Sequence, residues 1–150
     1  MKAKPLTRSE AQFFADAVEH ARIEQATQLY LQGLDGARLQ RWQEAAAAFE
    51  ESLRFDDAAS VSPSAKLELA AAYRKLHKQK EAIALLLPLV EQGGDKEVQD
   101  DALEELAWCQ TEIEAYNDAK NTWRTLLRKF PDSHFAPEAK LALQTLTQNH

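Results

Sequence analysis

The sequence predicts an all-α fold: an α-solenoid of three helical hairpins, with a long N-terminal helix and a C-terminal capping helix. Three observations carry this. Ala45, Ala82 and Ala119 lie 37 residues apart, each with a small residue twelve positions earlier (Gly33, Ala70, Ala107) and a large one four positions later (Phe49, Leu86, Trp123). A large–small relay at constant spacing means stacked copies of one helical unit. Stop-and-cap residues recur between apolar stripes of helical period, and no stretch shows the alternation of a strand.

The elements follow in order. Thr7 and Glu10 have the spacing of a capping box, with Pro5 and Leu6 upstream, so a helix starts near residue 8. It meets no strong breaker until Gly33 and Gly36 and is read as a helix over 8–32. The second helix starts near Trp42 and places Ala45, Ala46, Phe49 and Leu53 on one face. Asp56–Ser62 is a loop, and Ser62 followed by Pro63 reads as an N-cap with proline in the first turn. The next pair spans about 63–76 and 79–92, stopped by Gly93 and Gly94, and Asp95 caps the helix after it. The third pair spans about 96–114 and 116–129. Phe130–Ser133 is a stop and a cap, and a last helix carries Ala139, Ala142, Leu143 and Leu146 on one stripe.

The small residues have a physical reason. Two antiparallel helices joined by a tight turn approach closely only where one presents Gly or Ala. Gly33, Ala70 and Ala107 do this on the first helix of each pair, and Ala45, Ala82 and Ala119 on the second. Phe49, Leu86 and Trp123 then fill the space between successive pairs.

Composition narrows the function. A chain of 150 residues, 45% apolar and 28% charged, fits one domain with a core that needs no staple. The net charge of -6 argues against a surface that tracks nucleic-acid phosphates, and Lys2, Lys4 and Arg8 read as a solvated terminus. The single cysteine, Cys109, has no internal disulfide partner and no basic neighbour or helix start to activate it, so it reads as a buried structural thiol. The apolar run near Ile83–Val90 is short and interrupted by Pro88, so direct membrane insertion is not expected. No secretory signal is evident, so the chain is expected to be cytoplasmic, or periplasmic or envelope-associated if a signal segment was removed. His20, His77, His134 and His150 are scattered without metal-ligand spacing. No phosphate loop, dinucleotide glycine pattern or serine elbow is present. The chain reads as no enzyme, with no cofactor and no metal.

The pattern resembles the tetratricopeptide repeat. The residues that carry the likeness are Leu29, Gly33, Ala45, Phe49 and Ser52, then Leu69, Ala70, Tyr73, Ala82 and Leu86, then Leu103, Leu106, Ala107, Ala119, Trp123, Leu126 and Pro131. The 37-residue period exceeds the usual ~34, and because the small-to-small spacing is unchanged the extra residues fall between pairs. Such links, with an ending like that at 126–143, look like those of bacterial envelope-assembly members of the family. Gly36 stands where the family usually has a bulky residue, and the first helix is expected to be loose or bent there. The resemblance implies a right-handed stack over one domain, 1–150: an extension at 8–25, repeats at 26–62, 63–99 and 100–133, and a capping helix at 134–148.

It also implies a non-catalytic adaptor or assembly factor that holds a partner helix or peptide in a concave groove. The groove register falls on Tyr30, Leu34 and Ala37, on Leu67, Ala71 and Arg74, and on Asp101, Glu104, Trp108 and Thr111. The lysine–asparagine clamp that some members use for carboxylate tails is missing. What remains is an apolar strip (Tyr30, Leu34, Leu67, Ala71, Trp108) with acidic neighbours, suited to a segment with some basic residues. The alternative is that the chain's own terminal helices cover Tyr30 and Trp108. The acidic stretch Glu97, Asp100, Asp101, Glu104, Glu105, Glu112 and Glu114 reads mainly as a solvated face. Phe13, Phe14 and Val18 form a second candidate surface. Two readings stand for it: homodimerisation or partner capture through a projecting helix, or a capping helix folded back on the first pair.

Overall fold

A computed structural model describes residues 4–55 and 61–150. Lys2 and most of the expected loop at 56–62 lie outside the described residues. The described residues form seven helices and no strand: α1 (Arg8–Arg38), α2 (Trp42–Phe55), α3 (Ser62–Lys75), α4 (Gln79–Gln92), α5 (Lys96–Glu112), α6 (Tyr116–Lys129) and α7 (Ala136–Asn149). Each helix packs on the next, and α3 also meets α1 and α5, so the first helices of the pairs share one layer of a solenoid.

The period is written into the backbone. Gln40, His77 and Glu114, again 37 apart, are the described non-glycine residues with positive φ, at 60°, 62° and 65°. Each sits in the turn between the two helices of a pair. The next N–H reaches back to a carbonyl five residues earlier: Arg41 to Gly36, Lys78 to Tyr73 and Ala115 to Gln110, all at 2.8 Å. The orphan carbonyls at the end of the first helix are thereby satisfied and the chain reverses at once.

The relay of small and large residues packs as the sequence implies. Ala70, Ala107, Ala45, Ala82 and Ala119 are fully buried, as are Phe49, Leu86 and Trp123. Phe49 packs with Leu69 and Ala72 of the next pair, Leu86 with Ala102, Leu106 and Cys109, and Trp123 with Ala139 and Leu146 of α7. Each such side chain contributes about 1.5–3 kcal/mol by leaving water.

Three local expectations need correction. The glycines of α1 neither stop nor loosen it, because the helix runs unbroken through both to Arg38. They are packing residues: a Cβ on Gly33 would stand 2.5 Å from the Phe49 ring, and one on Gly36 would stand 3.2 Å from the Ala45 backbone. Ser62 is the first helical residue of α3 rather than its cap, and Val61 at the N-cap makes no side-chain bond. Ser133 does not cap α7 directly. Its buried hydroxyl donates to Asp100 Oδ2 at 2.7 Å and accepts from the Phe135 N–H at 3.2 Å, which bolts the last link to the start of α5. The other caps hold: Thr7 accepts from the Glu10 N–H and Asp95 from the Glu97 N–H. Gly93 and Gly94 end α4 with φ of 73° and 127°, which glycine adopts without strain.

Candidate functional site

The inner layer positions the site. Residues four apart on one helix share a face, so α1 presents Tyr30 and Leu34, α3 presents Leu67 and Ala71, and α5 presents Glu104 and Trp108, all half-buried. Tyr30 leans on Phe49, with ring centroids 6.0 Å apart, and Trp108 on Trp123, at 5.4 Å. Both groove aromatics are therefore backed by core rings that fix their orientation. Leu67 packs on the core of the second and third pairs.

The N-terminal helix does not fold back over this face, since every residue from 8 to 25 is exposed. The C-terminal helix does border it. Glu138 of α7 accepts the Trp108 indole N–H at 2.9 Å. Beside that bond lies a cavity of about 260 Å³, lined by Trp108, Thr111, Glu138, Leu141, Ala142, Thr145 and Leu146. The groove register read from the three repeats ends at Thr111 and misses this last wall.

The acidic stretch on α5 is not a solvated face throughout. Asp100 and Glu105 are buried, and Asp101 and Glu104 are half-buried. Arg74 is not a free groove cation, because its Nε is bonded to Glu105 and a guanidinium nitrogen lies 3.2 Å from Glu112. Burial opposes the charge of Arg74, but these two carboxylates hold it firmly protonated. The remaining acids crowd one another. Burial, then Asp101 and Glu105, raise the Glu68 carboxyl, and burial, then Asp100, raise that of Asp101. Burial, Glu105 and Glu138 push Glu104 up to about 7, with Arg74 pulling the other way. Glu68 and Glu138 were not among the expected site residues. Glu68 stands 37 positions before Glu105, so the repeat register held the signal. Cys109 is fully buried, and burial pushes its thiol up to about 12, which suits a structural role.

The second surface is also as exposed as its sequence suggests. Phe13, Phe14 and Val18 are 70%, 53% and 59% exposed, and the two phenyl rings touch only edge to face at 6.0 Å. Among the described residues no helix is long and apolar enough to cross a membrane, and no group of three metal-ligating side chains converges.

The tetratricopeptide-repeat family profile matches residues 101–133, which span α5, α6 and the Pro131 link. The chain carries a tetratricopeptide repeat over these residues. Solved structures of this fold superpose over most of its length. The tetratricopeptide domain of Arabidopsis OM64 is 16% identical, with a TM-score of 0.73 over 86% of this chain and 99% of that one. The TPR2B domain of yeast Sti1, in complex with pHsp70, is 22% identical with a TM-score of 0.72, covering 85% of this chain and 99% of that one. The first tetratricopeptide domain of Spaghetti (RPAP3), bound to the HSP90 peptide SRMEEVD, is 18% identical with a TM-score of 0.71, covering 83% and 92%. No curated protein sequence matches the chain. The tetratricopeptide fold accounts for the paired helices, but the extra length of the repeat does not all lie in the links: α4 and α5 are joined by residues 93–95 alone, and α5 has 17 residues against 14 in α3.

Proposed function

We propose that this tetratricopeptide protein is a non-catalytic adaptor or assembly factor that holds a peptide or helix of a partner protein across α1, α3, α5 and α7. The observation that carries the reading is the set of half-buried apolar groups at the shared register of the inner helices, Tyr30, Leu34, Leu67, Ala71 and Trp108, continued by the cavity beside Trp108. Rigid aromatic anchors of this kind give much contact area for little lost side-chain freedom. Structural neighbours that hold peptides on the same fold support the reading. The test is quantitative capture from source-cell lysate by wild type and by a Tyr30→Ala/Trp108→Ala variant whose helicity is first shown to be unchanged. A partner taken by wild type and lost by the variant supports the groove. Equal capture by both sinks it.

A second reading rests on a separate observation, the exposed Phe13, Phe14 and Val18 on a helix that stands clear of the body. There the chain is a scaffold that self-associates through α1. Sedimentation equilibrium decides: a dimer that Phe14→Glu dissolves supports it, and a monomer at high concentration ends it.

A further inference from the structure

Resting on the groove reading above, we infer that the partner segment is cationic and amphipathic. It seats one apolar side chain in the cavity between α5 and α7 and sets a lysine or arginine against the carboxylates of Glu104 and Glu138 at the rim.

The cavity supplies the first half. Its walls are the Trp108 ring, Ala142 and Leu146, with Thr111 and Thr145 at the edges, and its volume of about 260 Å³ suits one aromatic or branched side chain. Leu141 stands at its mouth and is 66% exposed, an apolar side chain with no cover. Trp108 cannot swing away to close the space. Its N–H is held by Glu138 and its ring by Trp123.

Charge complementarity supplies the second half. Glu104 lies one turn before Trp108 on the same face, and Glu138 is fixed beside it across the groove. Glu68 and Asp101 continue the acidic row along α3 and α5. Among the described residues no lysine or arginine forms an ion pair with any of these four. The nearby guanidinium, that of Arg74, is already shared by Glu105 and Glu112. Arg74 offsets the crowding at Glu104 and His134 that at Asp101 only from beyond ion-pair distance, so the half-buried carboxylates still repel one another, and a cation placed among them relieves that repulsion. An acidic tail such as SRMEEVD, bound by one structural neighbour, would meet like charge here instead.

The experiment pans a random dodecapeptide display library on the full chain and measures the enriched peptides by calorimetry. Wild type is compared with Glu104→Gln/Glu138→Gln, with Leu141→Glu and with Tyr30→Ala/Trp108→Ala. Glutamine at 138 keeps an acceptor for the Trp108 indole, and Leu141 is exposed, so the first two variants leave the core intact. The expected result is enrichment of peptides pairing an aromatic or branched residue with lysine or arginine. Their affinity should fall about tenfold or more in the double glutamine variant and in Leu141→Glu, and should weaken as salt is raised. Groove-dependent peptides that are acidic or uncharged would overturn the inference and leave the groove reading standing. Peptides captured equally by the Tyr30→Ala/Trp108→Ala variant would overturn both. A concentration-dependent dimer of the chain alone, dissolved by Leu141→Glu, would make a second copy the occupant and overturn the inference too.

Discussion

Trp108 and Trp123 meet edge to face, with ring centroids 5.4 Å apart and planes at 83°. The Trp108 ring is half-buried on α5, and the Trp123 ring is fully buried in the core that α5, α6 and α7 share. Among the described residues the Trp123 N–H has no hydrogen-bond partner, so shape rather than polarity holds it there. Trp123→Ala should therefore cost about 3–5 kcal/mol in urea unfolding. Trp123→Phe, which removes the orphan donor with little loss of shape, should cost much less. Trp108→Ala should cost less than Trp123→Ala, while removing whatever the groove holds.

The close approach of α1 and α2 rests on two glycines. A methyl group on Gly33 pushes directly on the buried Phe49 ring. Gly33→Ala should destabilise by about 1–3 kcal/mol, and Ala82→Leu should do the same at the equivalent crossing of the next pair. A double-mutant cycle with Phe49→Leu should return part of the Gly33→Ala loss. An additive cycle would show that the ring is not the obstacle.

The three left-handed turn residues predict gains. His77 holds a φ of 62°, a region that costs a side-chain-bearing residue about 1–2 kcal/mol. Glycine removes that cost but frees the unfolded chain, so His77→Gly should stabilise by a net ~0.5–1 kcal/mol. Gln40→Gly and Glu114→Gly should behave alike, and His77→Val should destabilise. Thermal melts of the three glycine variants check all of this.

The carboxyl of Glu104, pushed up to about 7, gives a pH dependence with a definite sign. The folded chain binds this proton more tightly than the unfolded chain does. The stability it provides is complete below the ordinary glutamate range and is lost as pH rises through about 7. Glu68 and Asp101, also raised, add in the same direction. Glu104→Gln, neutral at every pH, should raise Tm at pH 8 by about 2–4 °C and leave it unchanged near pH 4. A Tm gain of the same size at both pH values would mean that the effect is not the charge.

The hairpins were legible because each is specified locally. The Ala45–Ala82–Ala119 spacing, the Thr7 and Asp95 caps and the Gly93–Gly94 stop all act within a few residues of the elements they define. Gly33 and Gly36 misled because a glycine that ends a helix and one that lets a neighbour approach look identical until the Phe49 ring and the Ala45 backbone are seen above them. The candidate site was legible only in part. Tyr30, Leu34 and Trp108 follow from the register, but the wall at Ala142 and Leu146 belongs to a helix outside the 37-residue spacing. The crowding of Glu68, Asp101, Glu104 and Glu138 gathers residues from three helices. Asp101 and Glu104 follow from the register, but Glu68 and Glu138 read alone as ordinary solvated acids.

One property of α1 reaches beyond recognition. It is a single helix from Arg8 to Arg38, buried only from Ala26 onward. The free portion, residues 8–25, is a stiff arm roughly 27 Å long at 1.5 Å per residue, with Phe13 and Phe14 near its tip. A force applied there is not dissipated in a flexible joint. The first buried contact below the arm is at Ala26, whose carbonyl accepts the Ser52 hydroxyl at 2.6 Å, so a load on the tip bears first on the packing of α1 against α2.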